Sequence, residues 1–334
     1  MPQSRSWRWA VLAGGLVLAV LAATAPAAPT GRVEMEKLAY AGWPNCLKLS
    51  NGEIDLVATT DVGSRIMRLG FVGGPNLFKE YADQIGKTGG KEWMIYGGHR
   101  LWHSPEDKVR TYSLDNSPIE AKFEGGVLYL NQPVEQDTGI LKQMEVSLDP
   151  NAAVVTVRHR LTNTHMWPVE LAAWCLTVMD VGTKGIIPHP VKAHPDLLLP
   201  NWTLTLWPYT NMVDPRVNWG KKYILLQQDT KATSKFKLGL SANDGWAAAT
   251  NKNCLFVKRF RYEEGANYPD WGCSVETFTN SDMLELETVG PLRTLGHGES
   301  LEHIERWYLF RDVPTPKTEA DVDQTIIPLV NKTK

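Results

Sequence analysis

The stretch from Ile119 to Thr162 constrains the fold of this chain more than any other. IEAKFE and VLYLNQ flank Gly125-Gly126, and QMEVSL and AAVVTVRHRL flank Asp149-Pro150-Asn151. Period-two alternation sets one side of each run against a core, and Gly-Gly supplies the positive φ angles of a tight hairpin turn. Two hairpins in succession commit the region to antiparallel sheet. After a turn over Asn163 to Pro168, VELAAWCLTVM is apolar on both faces and reads as a central strand buried on both sides. His159, among alternating residues, reads as a satisfied strand histidine.

The same pattern recurs before and after. GEIDLVATT alternates, DVGSRIMRLGF bends at Gly63, and KKYILLQQ, KFKLGLSA, GWAAAT, CLFVKRFRY and SLEHIERWYLFRDV follow as strand-like runs. With few helical patterns and no linker-like shift in composition, the expected fold is all-β: a large antiparallel β-sandwich filling residues 33–313 as a single domain. The segment 314–334 is a tail, in which Thr318-Glu319-Ala320-Asp321 caps a short helix ending before Pro328.

The first 27 residues read as a signal peptide. Arg5 and Arg8 precede the uncharged run Ala10 to Ala23, and Ala25-Pro26-Ala27 offers small residues for cleavage after Ala27. At roughly 14 residues the run is short of the about 20 that a membrane helix needs. A periplasmic or secreted location is therefore expected, with no membrane association beyond the export signal. A formal charge of −2 without a basic patch gives no electrostatic case for nucleic acid. Export permits disulfides, and a hairpin centred near Glu263 and Glu264 would set Cys254 opposite Cys273. Cys175 reads as a buried thiol and Cys46 has no evident partner. No His/Cys group has metal-ligand spacing, the pair His189 and His194 in a proline-rich loop included, so neither metal nor cofactor is expected.

Candidate chemistry centres on WGCSVETFTNSDMLELETVGP, residues 271–291, where Glu276, Glu285 and Glu287 lie within two strand-like runs. Alternation places Glu285 and Glu287 on the same side of their run; Glu276 and Glu287 are the site candidates and Glu285 reads as ordinary. The Gly-Gly loop MIYGGHRLWHSPED concentrates His99, Arg100, Trp102, His103 and Glu106, either as a binding loop or as a polar surface loop with Trp102 plugging the core. LWPYTNMVDPR adds Trp207, Tyr209 and Asp214 beside Arg216, and Lys258 lies in the hairpin arm before the focal strand. Thirteen tryptophans are many for a chain of this length, and aromatic faces suit the apolar C–H faces of sugars.

The ordered set GSRIMRLGF, YGGHRLWHSPE, VRHRLTNTHMWPVELAAW, LPNWTLTLWPYT, YPDWGCSVETFTN and LELETVGPLRTLGHGES resembles the galactose mutarotase-like, or aldose 1-epimerase-like, superfamily, most of all its uncharacterised predicted aldose-epimerase relatives. The resemblance covers about Leu47 to Phe310. It implies a β-supersandwich with a carbohydrate on the concave sheet face, Glu276 at the general-base position, Arg65 as a sugar-contacting arginine and His99 as a substrate-binding histidine. Where the family carries its acid histidine, this chain has AAWCLTVM, with Trp174 and no histidine. Mutarotation needs both an acid and a base.

Three readings follow. In one, the protein is an exported carbohydrate-binding protein in which Trp102, Trp207 and Tyr209 stack on a ring while Arg65 and Glu276 hold its hydroxyls. In another it is an epimerase-type or other carbohydrate-active enzyme, Glu276 its base and His99, His103 or His189 its acid. In the third it is structural and has no sugar site. Both functional readings require Glu276 and His99 on one side of the sheet.

Overall fold

The computed structural model describes residues 28–190, 196 and 198–334. The expected signal peptide and His194 lie outside the described residues. The expected hairpins form: Gly125 and Gly126 take φ of 60° and 82° between β6 (Glu120–Glu124) and β7 (Val127–Asn131). β8 (Ile140–Leu148) and β9 (Val154–Asn163) pair antiparallel, and each alternates strictly between buried and half-buried positions.

These four strands end a ten-stranded sheet. Its order begins with β13 (Val217–Trp219), β14 (Tyr223–Gln227), β11 (Lys184–Pro188), β16 (Trp246–Asn251), β17 (Cys254–Phe260) and β21 (Ser300–Arg311), and continues β9-β8-β7-β6. An eleven-stranded sheet packs against it. That sheet runs β1 (Glu34–Tyr40), β2 (Trp43–Ser50), β3 (Ile54–Thr59), β4 (Arg65–Phe71), β5 (Gly98–Ser104) and β10 (Val169–Met179). It continues through β19 (Leu284–Val289), β18 (Val275–Thr279), β15 (Phe236–Leu240) and β12 (Leu204–Leu206), with β20 (Arg293–Leu295) on a branch from β10. All the pairings are antiparallel, as hairpin-type connections predict.

One apolar core fills the space between the sheets, drawing Leu56, Ile66, Leu101, Cys175 and Leu286 from the first and Met144, Val157, Phe256 and Trp307 from the second. β10 is buried along most of its length, as its two-sided apolar sequence predicts. The outer side of the second sheet carries a separate apolar cluster, covered by the C-terminal tail through Val322, Ile326 and Val330.

Three expectations need correction. The tail starts at the expected capping box, with Thr318 accepting from the Asp321 N–H and the Asp321 carboxylate accepting from the Thr318 N–H, but it does not stop before Pro328. A wider turn over Val322–Ile326 absorbs the proline at the start of a new helical turn, and helical backbone continues to Thr333. Second, MIYGGHRLWHSPED is not a loop throughout, because Gly98–Ser104 is strand β5. Its two glycines permit close backbone approach: a Cβ on Gly97 would lie 2.0 Å from the Lys79 carbonyl oxygen, and one on Gly98 2.4 Å from that of Ile66. Third, Cys254 and Cys273 are not bonded. β17 enters the second sheet, whereas Cys273 leads into β18 of the first.

Candidate functional site

Cross-strand neighbours share a sheet face, so the register identifies which side chains meet. Across the first sheet one row reads Arg65, Arg100, Leu176, Glu287, Glu276, Gly239 and Thr205. Two residues along the strands on one side, Glu285, Phe278 and Lys237 form a second row; on the other side Trp102, Trp174 and Val289 form a third. All three rows lie on the face turned away from the second sheet.

On this face cations and carboxylates are sandwiched by indoles. Arg100 Nη2 donates to Glu285 Oε1 at 2.9 Å, with its guanidinium 4.4 Å from the Trp102 ring and 5.4 Å from that of Trp93. Lys237 Nζ lies 2.7 Å from Glu276 Oε2 and 3.3 Å from Glu287 Oε2, between the rings of Trp174 at 4.5 Å and Trp207 at 4.4 Å. Trp174 Nε1 donates to Glu287 Oε2 at 2.7 Å. Arg65 is fully buried, and its Nη2 donates to Asp115 Oδ2 at 2.6 Å and to the Met94 carbonyl at 3.2 Å. Half-buried Trp93, Tyr112, Trp207 and Phe278 and exposed Tyr209 form the rim.

Charge is not balanced within this group. Arg65 pairs with Asp115 and Arg100 with Glu285, leaving Lys237 between two carboxylates. Burial pushes the Glu276 carboxyl well above its ordinary range; the Lys237 ammonium pulls it down and Glu287 pushes it up. Glu287 is raised by the same burial. The ammonium, although burial alone would lower its pKa, is held well above its usual value by Glu276 and Glu287. Burial of two carboxyls on one ammonium thus favours the protonated form of the carboxyls and the charged form of the lysine. Arg100 Nε and Nη1, Trp93 Nε1 and Glu287 Oε1 are buried without a hydrogen-bond partner among the described residues.

His99 is not part of this group. Its register partner is Thr177, in the row with Leu286 and Thr277 that faces the second sheet. Glu276 and His99 therefore lie on opposite sides of the sheet, so the requirement set for both functional readings is not met, and any site on the outer face has to be built without His99. His99 belongs instead to a sealed network. His159 Nδ1 donates to the His303 carbonyl at 3.0 Å, so His159 Nε2 accepts from His99 Nε2 at 2.8 Å, and His99 Nδ1 accepts from Thr177 Oγ1 at 2.8 Å. Burial lowers the pKa of His159 and His303 to about 4 and holds His99 well below its ordinary value. Glu305 accepts from Lys258 at 2.8 Å, Trp307 at 2.7 Å and Thr288 at 2.5 Å.

That network also holds Lys258, paired with Glu305 in the core between the sheets and away from the outer face. His99, His159 and Glu305 lie close enough together to hold a metal ion, as do Cys175, His303 and Glu305. The ring nitrogens of His99 and His159 are already hydrogen-bonded, and Glu305 already holds the Lys258 ammonium. Histidine 159 is the satisfied strand residue expected.

The remaining candidates divide. Glu276, Glu287, Arg65, Arg100, Trp102, Trp207 and Tyr209 come together on the outer face. His103 faces the second sheet, where its Nε2 lies 3.5 Å from Glu135. His189 lies beyond the second sheet against Trp202, lining a cavity of about 410 Å³ with Tyr223, Trp246 and Val330. Asp214 closes an ion pair with Arg216 at 2.8 Å within its own loop. Sequence reading missed Lys237, which occupies the polar position of an alternating strand and so read as solvent-facing. It also missed Trp93 and the part played by Trp174, and it set aside Glu285, the partner of Arg100.

No protein-family model and no curated protein matches this sequence. Solved structures do match. A candidate aldose 1-epimerase from Klebsiella pneumoniae superposes with a TM-score of 0.55 over 90% of this chain and 87% of its own, at 12% identity. A galactose mutarotase-like protein from Lactobacillus casei gives 0.52 over 83% of this chain and 100% of its own, at 8% identity. The fold is galactose mutarotase-like. A TPR-domain containing protein from Parabacteroides distasonis shares it too, with a TM-score of 0.53 at 14% identity over 81% of this chain, which spans only 48% of that protein. Within the mutarotase-like fold of this chain, the segment where the resemblance expects an acid histidine supplies Trp174, whose indole N–H is committed to Glu287.

Proposed function

We propose that the outer face of the eleven-stranded sheet binds a carbohydrate, and that the protein does so as an exported, single-domain binding protein spanning 33–313. The observation that carries the reading is the side-by-side placement of Arg100, Glu287, Glu276 and Lys237 beneath the rim of Trp93, Trp207 and Tyr209. Sugars need flat apolar surface for their C–H faces and fixed polar groups for their hydroxyls, and this face supplies both. The fold it shares with mutarotase-like proteins favours the same ligand class. Export is supported by the basic, apolar and small-residue pattern of residues 1–27, and the single domain by the one core shared between the sheets.

Binding without turnover fits the geometry better than catalysis, because Glu276 faces Lys237 and no histidine among the described residues lies on its side of the sheet. One observation favours an enzyme instead: Glu276 and Glu287 stand opposite each other on one ammonium, and a carboxyl pair of that kind can hold an acid and a base together, as proton transfer at an anomeric centre requires. Calorimetric titration with neutral mono- and oligosaccharides tests binding. Saturable heat that weakens by about tenfold, ~1.4 kcal/mol, in Trp207→Ala supports the reading, and no heat from any saccharide overturns it. Polarimetry separates the two forms, since accelerated anomer exchange abolished by Glu276→Gln in a folded protein would establish the enzyme.

A further inference from the structure

The row of outer-face residues does not end at Glu276. Next along it is Gly239, where a Cβ would lie 2.6 Å from Cys273 Sγ and 3.1 Å from Glu276 Cγ, and then Thr205 on edge strand β12. The missing side chain leaves room for the turn Pro269–Gly272 to lie down on the face beside Glu276. Thr205 Oγ1 donates to the Asp270 carbonyl at 2.9 Å, and Cys273 N–H to the Pro269 carbonyl at 2.9 Å. Gly272 closes against Thr203, its would-be Cβ 3.4 Å from Thr203 Oγ1.

This turn holds Asp270 and Trp271 at φ of 51° and 63°, a left-handed conformation that two successive non-glycine residues adopt only when their surroundings hold them there. Its product is an indole 86% exposed at the end of the row that contains Glu287 and Glu276. Half-buried Trp207 and Tyr209, 44% exposed, follow the other end of the same edge strand, with the Trp207 ring 4.4 Å from Lys237 Nζ, so exposed aromatic rings stand at both ends of β12. Among the described residues the Trp271 ring belongs to no apolar core cluster.

We infer that Trp271 is an outlying stacking platform and that the ligand of this face is an oligosaccharide chain several units long rather than a free monosaccharide. The inference rests on the carbohydrate reading of the face. One unit occupies the centre near Arg100 and Lys237, and the chain leaves past Trp207 along β12 to Trp271. The occupant is neutral, because each cation of this face is already paired with a carboxyl group of the protein.

Titration of the full exported chain with cello-, malto-, xylo-, manno- and galacto-oligosaccharides of one to six units, followed by tryptophan fluorescence and calorimetry, tests this. Affinity in one series is expected to rise with length. Trp271→Ala should cost the hexamer about tenfold, leave the monomer unit unchanged, and be restored by Trp271→Phe. Equal hexamer affinity in Trp271→Ala, or no length dependence, overturns the inference while leaving the central site intact. No binding by any saccharide overturns both. Sedimentation showing a dimer that Trp271→Ala dissociates would assign the ring to contact between copies and overturn the oligosaccharide reading.

Discussion

Glu276 and Glu287 stand opposite each other on adjacent strands, and their carboxyls converge on one ammonium, with Lys237 Nζ 2.7 Å from the first and 3.3 Å from the second. Two like charges side by side in a buried sheet repel, and the lysine is what makes the pair tolerable. Replacing it by an apolar residue of similar length leaves two uncompensated carboxyls. Lys237→Met should therefore destabilise the protein by about 3–5 kcal/mol in urea unfolding. Adding Glu287→Gln should recover part of that loss, since only one carboxyl then needs the proton. Additive losses in the double variant would show that the three groups are not coupled.

Gly239 lies between this centre and the turn that carries Trp271. An alanine there meets Cys273 Sγ at 2.6 Å, so the turn must shift. Gly239→Ala should cost about 1–3 kcal/mol and raise hydrogen exchange at residues 270–273 more than elsewhere. Wild-type stability in this variant would mean that the turn has room which the contact denies it.

The hairpins were legible because Gly125-Gly126 and Asp149-Pro150-Asn151 punctuate runs of period two, and both signals are local. Glu276, Glu287, Arg100 and Trp102 could be found because a charge or an indole inside a strand is conspicuous. Which side of the sheet His99 takes was present in the alternation of His99, Leu101 and His103 against Arg100 and Trp102, but it was hidden by reading the glycines before it as the start of a loop. Lys237 carries no such signal. A lysine between apolar neighbours reads as solvent-facing until the fold lays Trp174 and Trp207 over it. The separation of Cys254 from Cys273 is equally nonlocal, because consecutive strands enter different sheets.

Those two cysteines give a direct check on the topology. With Cys254 in the second sheet and Cys273 at the start of a strand in the first, reductant should leave the unfolding midpoint unchanged, and thiol titration of the denatured, unreduced protein should find both free. A midpoint that falls in dithiothreitol would contradict the assignment of the strands.

The C-terminal tail depends on its cap. Thr318 Oγ1 accepts from the Asp321 N–H at 3.2 Å, and the Asp321 carboxylate accepts from the N–H groups of Lys317 and Thr318 at 2.8 and 2.9 Å. Thr318→Ala should cost about 1 kcal/mol and raise exchange over 319–333. The tail covers the apolar outer side of the second sheet, so the same variant should bind more of an apolar dye.

Two buried groups with opposite pKa shifts act on stability in overlapping pH ranges. His159 and His303 have their pKa lowered from 6.5 to about 4 by burial, so the unfolded chain binds more protons than the native one between those values. Stability from the histidine network is full above pH 6.5 and is lost as the pH falls toward 4. Glu276 and Glu287 have raised pKa values, so the native state keeps a proton that the unfolded chain releases; their contribution is full below about 4.5 and is lost as the pH rises through the native values. Between 4.5 and 6.5 the two slopes oppose each other, but the buried histidines, His99 among them, outnumber the carboxyl proton, so wild-type stability should fall on acidification. Glu287→Gln lets Lys237 hold Glu276 as an ordinary ion pair and weakens the second slope, so the variant should lose stability on acidification more steeply than wild type. Urea unfolding at half-unit intervals from pH 4 to 7 reads both slopes, and parallel curves for the two proteins would refute the coupling of the two carboxyls.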